Sequence, residues 1–281
     1  MRLWAKRAIP WSKKDVIRTL NLMKNLKIFY LLALHSLKTT FQGRVGAVFF
    51  LLGKIVRVAF IFIFIALVFS RTNLIKGYNL NQILLFYLTY NIIDTLSQIL
   101  YREVYRFRPL VVSGGFDLIL LKPFHPFIRI LVGGMDFLDA LLIIPYILAA
   151  LYIYITGFHG DFIHFLIYLA FLFNSMLLVT AFHIIVLCIG IITSEVDHTI
   201  MIYRDITSLG RFPMDIYKEP VRGLFTFIIP IGVMMTVPSQ ALMGILSLPI
   251  AVFSFLVSCS LLGLSLLFWQ FALKRYQSWG G

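Results

Sequence analysis

The stretch FIHFLIYLAFLFNSMLLVTAFHIIVLCIGII, residues 162–192, decides the fold class of this 281-residue chain. It contains no Asp, Glu, Lys or Arg, and it is longer than the roughly 20 apolar residues that a helix needs to cross a bilayer. The whole chain is 60% hydrophobic and 16% aromatic, and only 13% of its residues are charged. A soluble domain carries about 25% charged residues, so the composition predicts an integral membrane protein.

Four further apolar segments predict membrane spans, at residues 46–70, 81–101, 128–156 and 246–273. Lys54 and Arg57 lie in the first of these, spaced i,i+3, and we expect both to extend toward cytoplasmic headgroups. The two cysteines each lie inside an apolar segment, so the sequence predicts neither a disulfide framework nor a zinc site.

Residues 193–244 allow two arrangements. Hydropathy selects residues 224–237 as the membrane segment, but Pro230 and Pro238 interrupt it and favour a short or re-entrant pair of helices. In the alternative, residues 196–212 form an amphipathic span that must be buried among other helices. Either arrangement gives an even number of crossings.

The distribution of basic residues predicts the orientation. Five Lys and Arg follow the second span, two follow the first, and none lies in residues 157–161. We therefore expect both termini and the loop at residues 101–128 to be cytoplasmic, in a multi-pass protein of the cell membrane. Twelve of the 25 basic residues lie between Arg2 and Arg57, where they favour contact with anionic membrane lipid rather than nucleic acid.

The chain divides into a basic N-terminal segment and a transmembrane domain. Residues 1–45 form the cytoplasmic or interfacial connecting segment, and residues 46–281 form the domain of membrane helices. Within the first segment, residues 11–42 predict an amphipathic helix lying in the membrane interface. Its apolar face is Val16, Leu20, Met23, Leu26 and Tyr30.

Patterns that would indicate an enzyme are incomplete. Six residues separate Gly46 from Gly53, where a phosphate-binding loop has four, and Ile55 replaces the hydroxyl that would hold magnesium. Asp136 and Asp139 resemble the paired aspartates of membrane phosphotransferases, but the expected downstream residues are missing. Glu195, Asp197 and His198 are interpreted as a solvated corner, and His183 as an interior hydrogen-bonded residue. We expect no catalytic residue, no metal site and no cofactor in this chain.

The second span carries a polar stripe. Its members are spaced +4, +3 and +4, which puts them on one helical face: Tyr87, Asn91, Asp94 and Gln98. An ionised carboxylate near the middle of a bilayer costs at least about 2.5–3.5 kcal/mol, so this face cannot point into lipid. It is either an interhelical hydrogen-bonded seam or the wall of a translocation pathway.

The loop at residues 101–128 predicts a short helix at the membrane surface. Gly114-Gly115 makes a turn, and residues 116–121 form about a turn and a half of helix before Pro123 stops it. An apolar helix on this side needs a partner that buries it, which is either another protein or the chain's own interfacial helix.

Several motifs together resemble one family. They are GGFDLILLKP at 114–123, RFPMDIY at 211–217, Pro220-x-Arg222 running to Ile229-Pro230, the segment 238–244, and KRYQSWG at 274–280. The chain resembles the membrane subunits of ATP-binding-cassette exporters of the type-2 permease class, over roughly residues 30–281. It is most similar to the viologen-exporter and daunorubicin-resistance-like branch.

This resemblance implies six spans and a re-entrant helical pair at residues 213–245, outside the cell and before the last span. It implies a second permease, identical or homologous, and two copies of an ATPase subunit that binds ATP and magnesium. The coupling helix that docks on the ATPase would be Phe116, Asp117, Leu118, Leu120 and Leu121. In this arrangement the polar stripe lines the pathway. The competing hypothesis is an ion- or proton-coupled secondary transporter that uses Asp94.

Overall fold

The computed structural model describes residues 22–42, 44–158, 160–193 and 196–277. Regular structure in these ranges is helical, apart from an isolated β-bridge between Ile75 and Tyr78. The helices are α1 (Leu22–Gln42), α2 (Arg44–Phe69), α3 (Leu80–Tyr101), α4 (Phe107–Val112), α5 (Gly115–Leu120), α6 (Phe127–Ile130), α7 (Phe137–Phe158), α8 (Phe162–Thr193), α9 (Val196–Ser208), α10 (Val221–Ile228), α11 (Ile231–Leu242) and α12 (Leu248–Arg275). The prediction of an all-α integral membrane protein is confirmed.

Five of these helices are long and apolar enough to cross a membrane, namely α2, α3, α7, α8 and α12. The third predicted span was wrong at its start, because α7 begins at Phe137 and not at residue 128. Asp136 Oδ1 accepts the N–H of Leu138 over 3.0 Å and so starts the helix there. A side chain at Gly133 would collide with the Arg129 backbone, so the chain turns before α7 begins.

Helix α8 is the centre of the bundle, and it packs against α9, α11 and α12. Two of these contacts include buried hydrogen bonds. Asn174 Nδ2 donates to Ser254 Oγ of α12 over 2.7 Å, and Ser175 Oγ donates to the Met234 carbonyl of α11 over 2.7 Å. Such bonds satisfy polar groups that would be costly to leave unpaired in hydrocarbon. The predicted span at residues 162–192 thus lies at the centre of the helix contacts, although α3 is the more buried of the two helices.

Helix α9 and the residues that follow it run from one end of the bundle to the other. Tyr78 precedes α3 and Arg108 follows it, so these two residues lie at opposite ends. Arg108 Nη1 lies 3.4 Å from Asp197 Oδ2, and Tyr78 Oη donates to Asp215 Oδ2 over 2.8 Å. The chain between Asp197 and Asp215 therefore crosses the bundle. We call the end with residues 102–136 the basic end and the end with residues 70–79 the far end.

Helices α10 and α11 form a bent pair that enters and leaves at the far end. Their axes meet at 87°. Arg222 in α10 lies 2.6 Å from Asp215, and Gly244 beyond α11 packs against His164 at the start of α8. This geometry favours the arrangement in which the amphipathic segment at residues 196–212 crosses and the pair does not.

Helix α1 lies along the basic end. Its Ser36 hydroxyl donates to the Met135 carbonyl over 2.7 Å, and Lys24 Nζ donates to the Pro123 carbonyl over 3.3 Å. Leu26 and Tyr30, two residues of the predicted apolar face, are more than half exposed. An exposed apolar face is typical of a helix that lies in the membrane interface. Residues 11–21 of the predicted helix lie outside the described residues.

Candidate functional site

The polar stripe of α3 is largely enclosed. Tyr87, Asn91 and Gln98 are buried, and Asp94 is half-buried. Asn91 Nδ2 donates to the Tyr87 carbonyl over 2.7 Å, and Gln98 Nε2 donates to Asp94 Oδ2 over 2.8 Å. Both contacts are i,i+4 bonds within α3, so the four residues share one side of the helix. Part of their hydrogen-bonding capacity is therefore used inside α3.

Lys54 joins this stripe to two other helices. Its ammonium group donates to Gln98 Oε1 over 3.3 Å and forms an ion pair with Asp139, whose side chain is fully buried. The expectation that Lys54 extends to headgroups is wrong, because Asp139 is a nearer counter-ion in a region of low dielectric constant. Through its contacts with Asp139 and Gln98, Lys54 connects α2 to both α7 and α3.

Asp136 also has a structural partner. Arg102 Nε lies 3.4 Å from Asp136 Oδ2, while the other carboxylate oxygen caps α7. Both aspartates of the Asp136–Asp139 pair are thus held by cations of neighbouring helices. Since each carboxylate is already neutralised by a protein cation, the pair has the character of a structural anchor for α7.

Two arginines lie close to Asp94 at membrane depth. The guanidinium of Arg211 lies 5.7 Å from the ring centroid of Tyr90. The charges of Asp94, Arg211 and Arg57 all act on the Tyr90 hydroxyl, so the four side chains are neighbours. Arg57 is exposed near the midpoint of α2. Asp94 therefore shares its neighbourhood with Arg57 of α2 and with Arg211, which follows α9.

Helix α9 adds two more charges. Arg204 and Asp205 are exposed, and they lie about 10–12 Å beyond Asp197 along the helix axis. The Arg204 guanidinium lies 5.8 Å from the Tyr105 ring centroid. Exposed charges on a helix of the bundle require water or another protein beside them, because lipid excludes them. We call the following residues the polar face: Arg57, Tyr87, Asn91, Asp94, Gln98, Arg204, Asp205 and Arg211.

Helix α5 has one buried side and one exposed side. Gly114 adopts a left-handed conformation, with φ +70°, and so turns the chain sharply into α5. Phe116 and Ile119 are buried, whereas Leu118 and Leu121 are 64% and 73% exposed. Leu120 and Asp117 lie between these extremes. The apolar residues available to a partner are thus Leu118 and Leu121, and Phe116 faces inward.

Phe116 attaches α5 to the end of α12. Its ring centroid lies 5.0 Å from that of Tyr276 and 6.5 Å from that of Trp269, both at edge-to-face angles. Burial, and then the neighbouring Asp117 carboxylate, raises the pKa of Tyr276 to about 12. The interfacial helix α1 contributes neither ring, so α5 packs on α12 and leaves its outer side uncovered.

Comparison with known proteins decides what kind of membrane protein this is. Residues 55–280 match the family described as ABC-2 family transporter protein. The chain belongs to the ABC-2 transporter family. It is a permease subunit of an ABC transporter, and proteins of this kind work with an ABC ATPase subunit. No curated protein and no solved structure matches it.

The matched region of this ABC-2 permease includes the whole polar face and all of α5. In the part of the chain that the structure describes, no three His, Cys, Asp or Glu side chains form a group that could hold a metal ion. Asp197 pairs with Arg108, and Glu195 lies outside the described residues. His183 is fully buried and its Nδ1 lies 2.8 Å from the Val179 carbonyl, as expected for an interior residue.

Sequence reasoning about the ABC-2 permease missed three members of the polar face. Arg204, Asp205 and Arg211 belong to a segment that hydropathy does not identify as a span, so their depth was not apparent. The available signal was an amphipathic segment with two adjacent opposite charges, Arg204 and Asp205, on the side that also exposes Met201. The segment could be located in the bundle only from the structure, in which Asp197 and Asp215 lie at opposite ends.

Proposed function

We propose that this ABC-2 permease is the membrane subunit of an exporter. It pairs with a second permease, identical or homologous, and two copies of an ABC ATPase that bind ATP and Mg²⁺ drive it. The complex lies in the cell membrane, and both termini of this chain are cytoplasmic. The single observation that carries this assignment is the outer side of α5, where two leucines remain exposed on a helix that is anchored from behind.

The outer side of α5 suits a groove of a separate protein. Leu118 and Leu121 are one helical turn apart, and together they offer a small apolar contact. Phe116 behind them packs on Trp269 and Tyr276, so a displacement of α5 is passed to α12. A partner that hydrolyses ATP can move membrane helices only through a rigid contact of this kind.

The charge of the basic end supports a cytoplasmic location for α5. Arg102, Arg106, Arg108, Lys122 and Arg129 all belong to residues 102–136, whereas the far-end loop at residues 70–79 contains two basic residues. The positive-inside rule then assigns the basic end to the cytoplasm, where ATP is available. The export direction rests on the resemblance to type-2 exporters.

The polar face supports a location for the pathway. Its charged residues at membrane depth need a polar environment, which two permeases facing each other would enclose. Three arginines stand against two aspartates on this face, so a preference for cations cannot be inferred from Asp94 alone. We assign substrate contact to the exposed members, Arg57, Arg204 and Asp205, with Asp94 beside them.

The ion-coupled secondary transporter that uses Asp94 is the weaker hypothesis. Membership of the ABC-2 family implies an ATPase partner, and Asp94 accepts a hydrogen bond from Gln98 within its own helix. Transport in inverted vesicles separates the two hypotheses. It should require ATP and persist when an uncoupler abolishes the proton gradient, and the opposite result would support the ion-coupled mechanism.

The test of the proposal is co-purification of the permease with an ABC ATPase subunit from cells that produce both. Leu118→Asp puts a carboxylate into the apolar contact, which costs a few kcal/mol, so recovery of the ATPase should fall at least about tenfold. The matched control is Leu74→Asp, since Leu74 is 57% exposed but belongs to the far-end loop. Equal ATPase recovery with the two variants would rule out α5 as the docking helix.

A further inference from the structure

Two adjoining cavities open between α1 and the basic end of the bundle. The larger has a volume of about 590 Å³ and is lined by Leu32 and His35 of α1, and by Arg106, Leu110 and Arg129. The smaller, of about 260 Å³, reaches from Arg106 toward Phe50 of α2. Arg106 lines both. The site assigned to the ATPase and the polar face share no residue with these cavities.

We propose that the larger cavity binds the phosphate of a membrane lipid headgroup, with Arg106 and Arg129 as its cationic ligands. The arrangement of Glu103 is the first reason. Its side chain is 5% exposed, forms an ion pair with Arg129 and lies 3.4 Å from Arg106 Nη1. One buried carboxylate thus holds two guanidinium groups at the cavity wall.

The spare capacity of Arg106 is the second reason. A distance of 3.4 Å is long for a charge-assisted hydrogen bond, which is usually about 2.7–2.9 Å, and the Arg106 side chain is 58% exposed. Two arginines and one glutamate leave a net charge of +1. A guanidinium with free donors and positive surroundings is suited to a phosphate, which accepts two parallel N–H bonds.

Glycine at position 134 keeps this arrangement possible. The ideal Cβ position of Gly134 coincides with the Glu103 carboxylate, so any side chain there would displace Glu103. Glu103 is therefore fixed by the backbone behind it and not by solvent. The two arginines are positioned before a ligand arrives, which lowers the entropic cost of binding.

The choice of a lipid over free phosphate rests on the apolar part of the cavity. Leu32, Pro109 and Leu110 continue the lining beyond the arginines, where a free phosphate would make no contact. Leu26 and Tyr30 of the same helix are exposed, as in a helix immersed at the level of the headgroups. Basic pockets between membrane helices at this level recognise anionic headgroups.

Binding is tested on the purified protein in a neutral detergent, by the thermal unfolding midpoint and by native mass spectrometry. Phosphatidylglycerol should raise the midpoint and remain bound, because a ligand of the folded state stabilises it. With Arg106→Gln, the concentration needed for half of that shift should rise about tenfold, as for the loss of a charge-assisted pair of about 1.4 kcal/mol. Arg71→Gln, an exposed arginine at the far end, is the control.

Each other outcome counts against the proposal. An equal shift from inorganic phosphate alone would identify a free-phosphate site, and an equal shift from a lipid without phosphate would show that the headgroup is not recognised. Identical lipid dependence of Arg106→Gln and Arg71→Gln would overturn the role of Arg106. Since the readout is the lipid-dependent shift, a lower starting stability of a variant does not affect it. None of these results bears on the ATPase contact of α5.

Discussion

The ring of Phe116 packs edge-on against the ring of Tyr276, with centroids 5.0 Å apart and planes at 80°. This single contact joins the middle of the chain to the first residue after the last membrane helix. It makes the short helix α5 and the long helix α12 one mechanical unit at the basic end. The first prediction concerns the strength of that unit.

Tyr276→Ala should uncouple ATP hydrolysis from transport. Loss of an edge-to-face pair costs about 0.5–1.5 kcal/mol, so α5 should remain folded but be less firmly attached to α12. The measurement is transport per ATP hydrolysed in reconstituted vesicles, which should fall severalfold. Tyr276→Phe should behave as the native protein between pH 6 and 9, since the pKa of Tyr276 is about 12 and its hydroxyl is uncharged throughout. Reduced coupling in the Phe variant as well would contradict a role for the ring alone.

Lys54→Met should destabilise the protein strongly. It leaves the Asp139 carboxylate buried without its cation, a change worth about 3–5 kcal/mol. The thermal unfolding midpoint in detergent should therefore fall by several degrees. The double variant Lys54→Met, Asp139→Leu should recover most of the loss, because no unpaired charge remains. Lys76→Met, in the far-end loop, should have no effect. If the unfolding midpoint of the double variant were as low as that of Lys54→Met, the two residues would not stabilise the fold as a pair.

Cysteine labelling should divide five positions into two groups. In a variant with Cys259→Ser, we expect Asn73→Cys and Lys218→Cys to react with an impermeant maleimide in intact cells. Ser12→Cys, Ser113→Cys and Ser278→Cys should react only after the membrane is permeabilised. Lys218 is the informative position, because it follows the crossing by α9. Protection of Lys218→Cys in intact cells would mean that α9 does not cross.

Charge-removing variants of the polar face should reveal the sign of the transported substrate. Asp94→Asn keeps the acceptor for Gln98 Nε2 and removes one negative charge, and Arg204→Gln removes one positive charge. At the reduced dielectric of a helix wall, such a change alters apparent affinity by about tenfold or more. Arg204→Gln should lower the apparent affinity for an anionic substrate, and Asp94→Asn should lower it for a cationic substrate. Unchanged transport in both variants would exclude the polar face from the pathway.

Local spacing was enough to predict the stripe on α3 and the short helix α5, because both depend on residues within about three turns of one another. The partner of Lys54 could not be predicted this way, since Asp139 is 85 positions away along the chain. Several basic residues compete for several acidic ones, and only the packing of α2 beside α7 selects the pair.

The same limit applies to α9. Its neighbours cover Val196, Ile200 and Thr207, which allows the segment to be polar elsewhere and still cross the bundle. Hydropathy measures the preference of a segment for lipid, and α9 is only partly in contact with lipid. The first residue of α7 was missed for a different reason, because the Asp136 cap and the turn at Gly133 outweigh the apolar character of residues 128–132.

The bent pair of α10 and α11 has a consequence for the resting state of the transporter. Helix α11 is enclosed by the bundle in the half of the membrane at the far end, whereas α10 has no buried residue. We expect the barrier to ion leakage to lie in that far half, where the long helices hold α11 in place. Opening that barrier requires only a small movement around the break at Ile229 and Pro230. The membrane can therefore remain impermeable to ions while the rest of the protein changes shape.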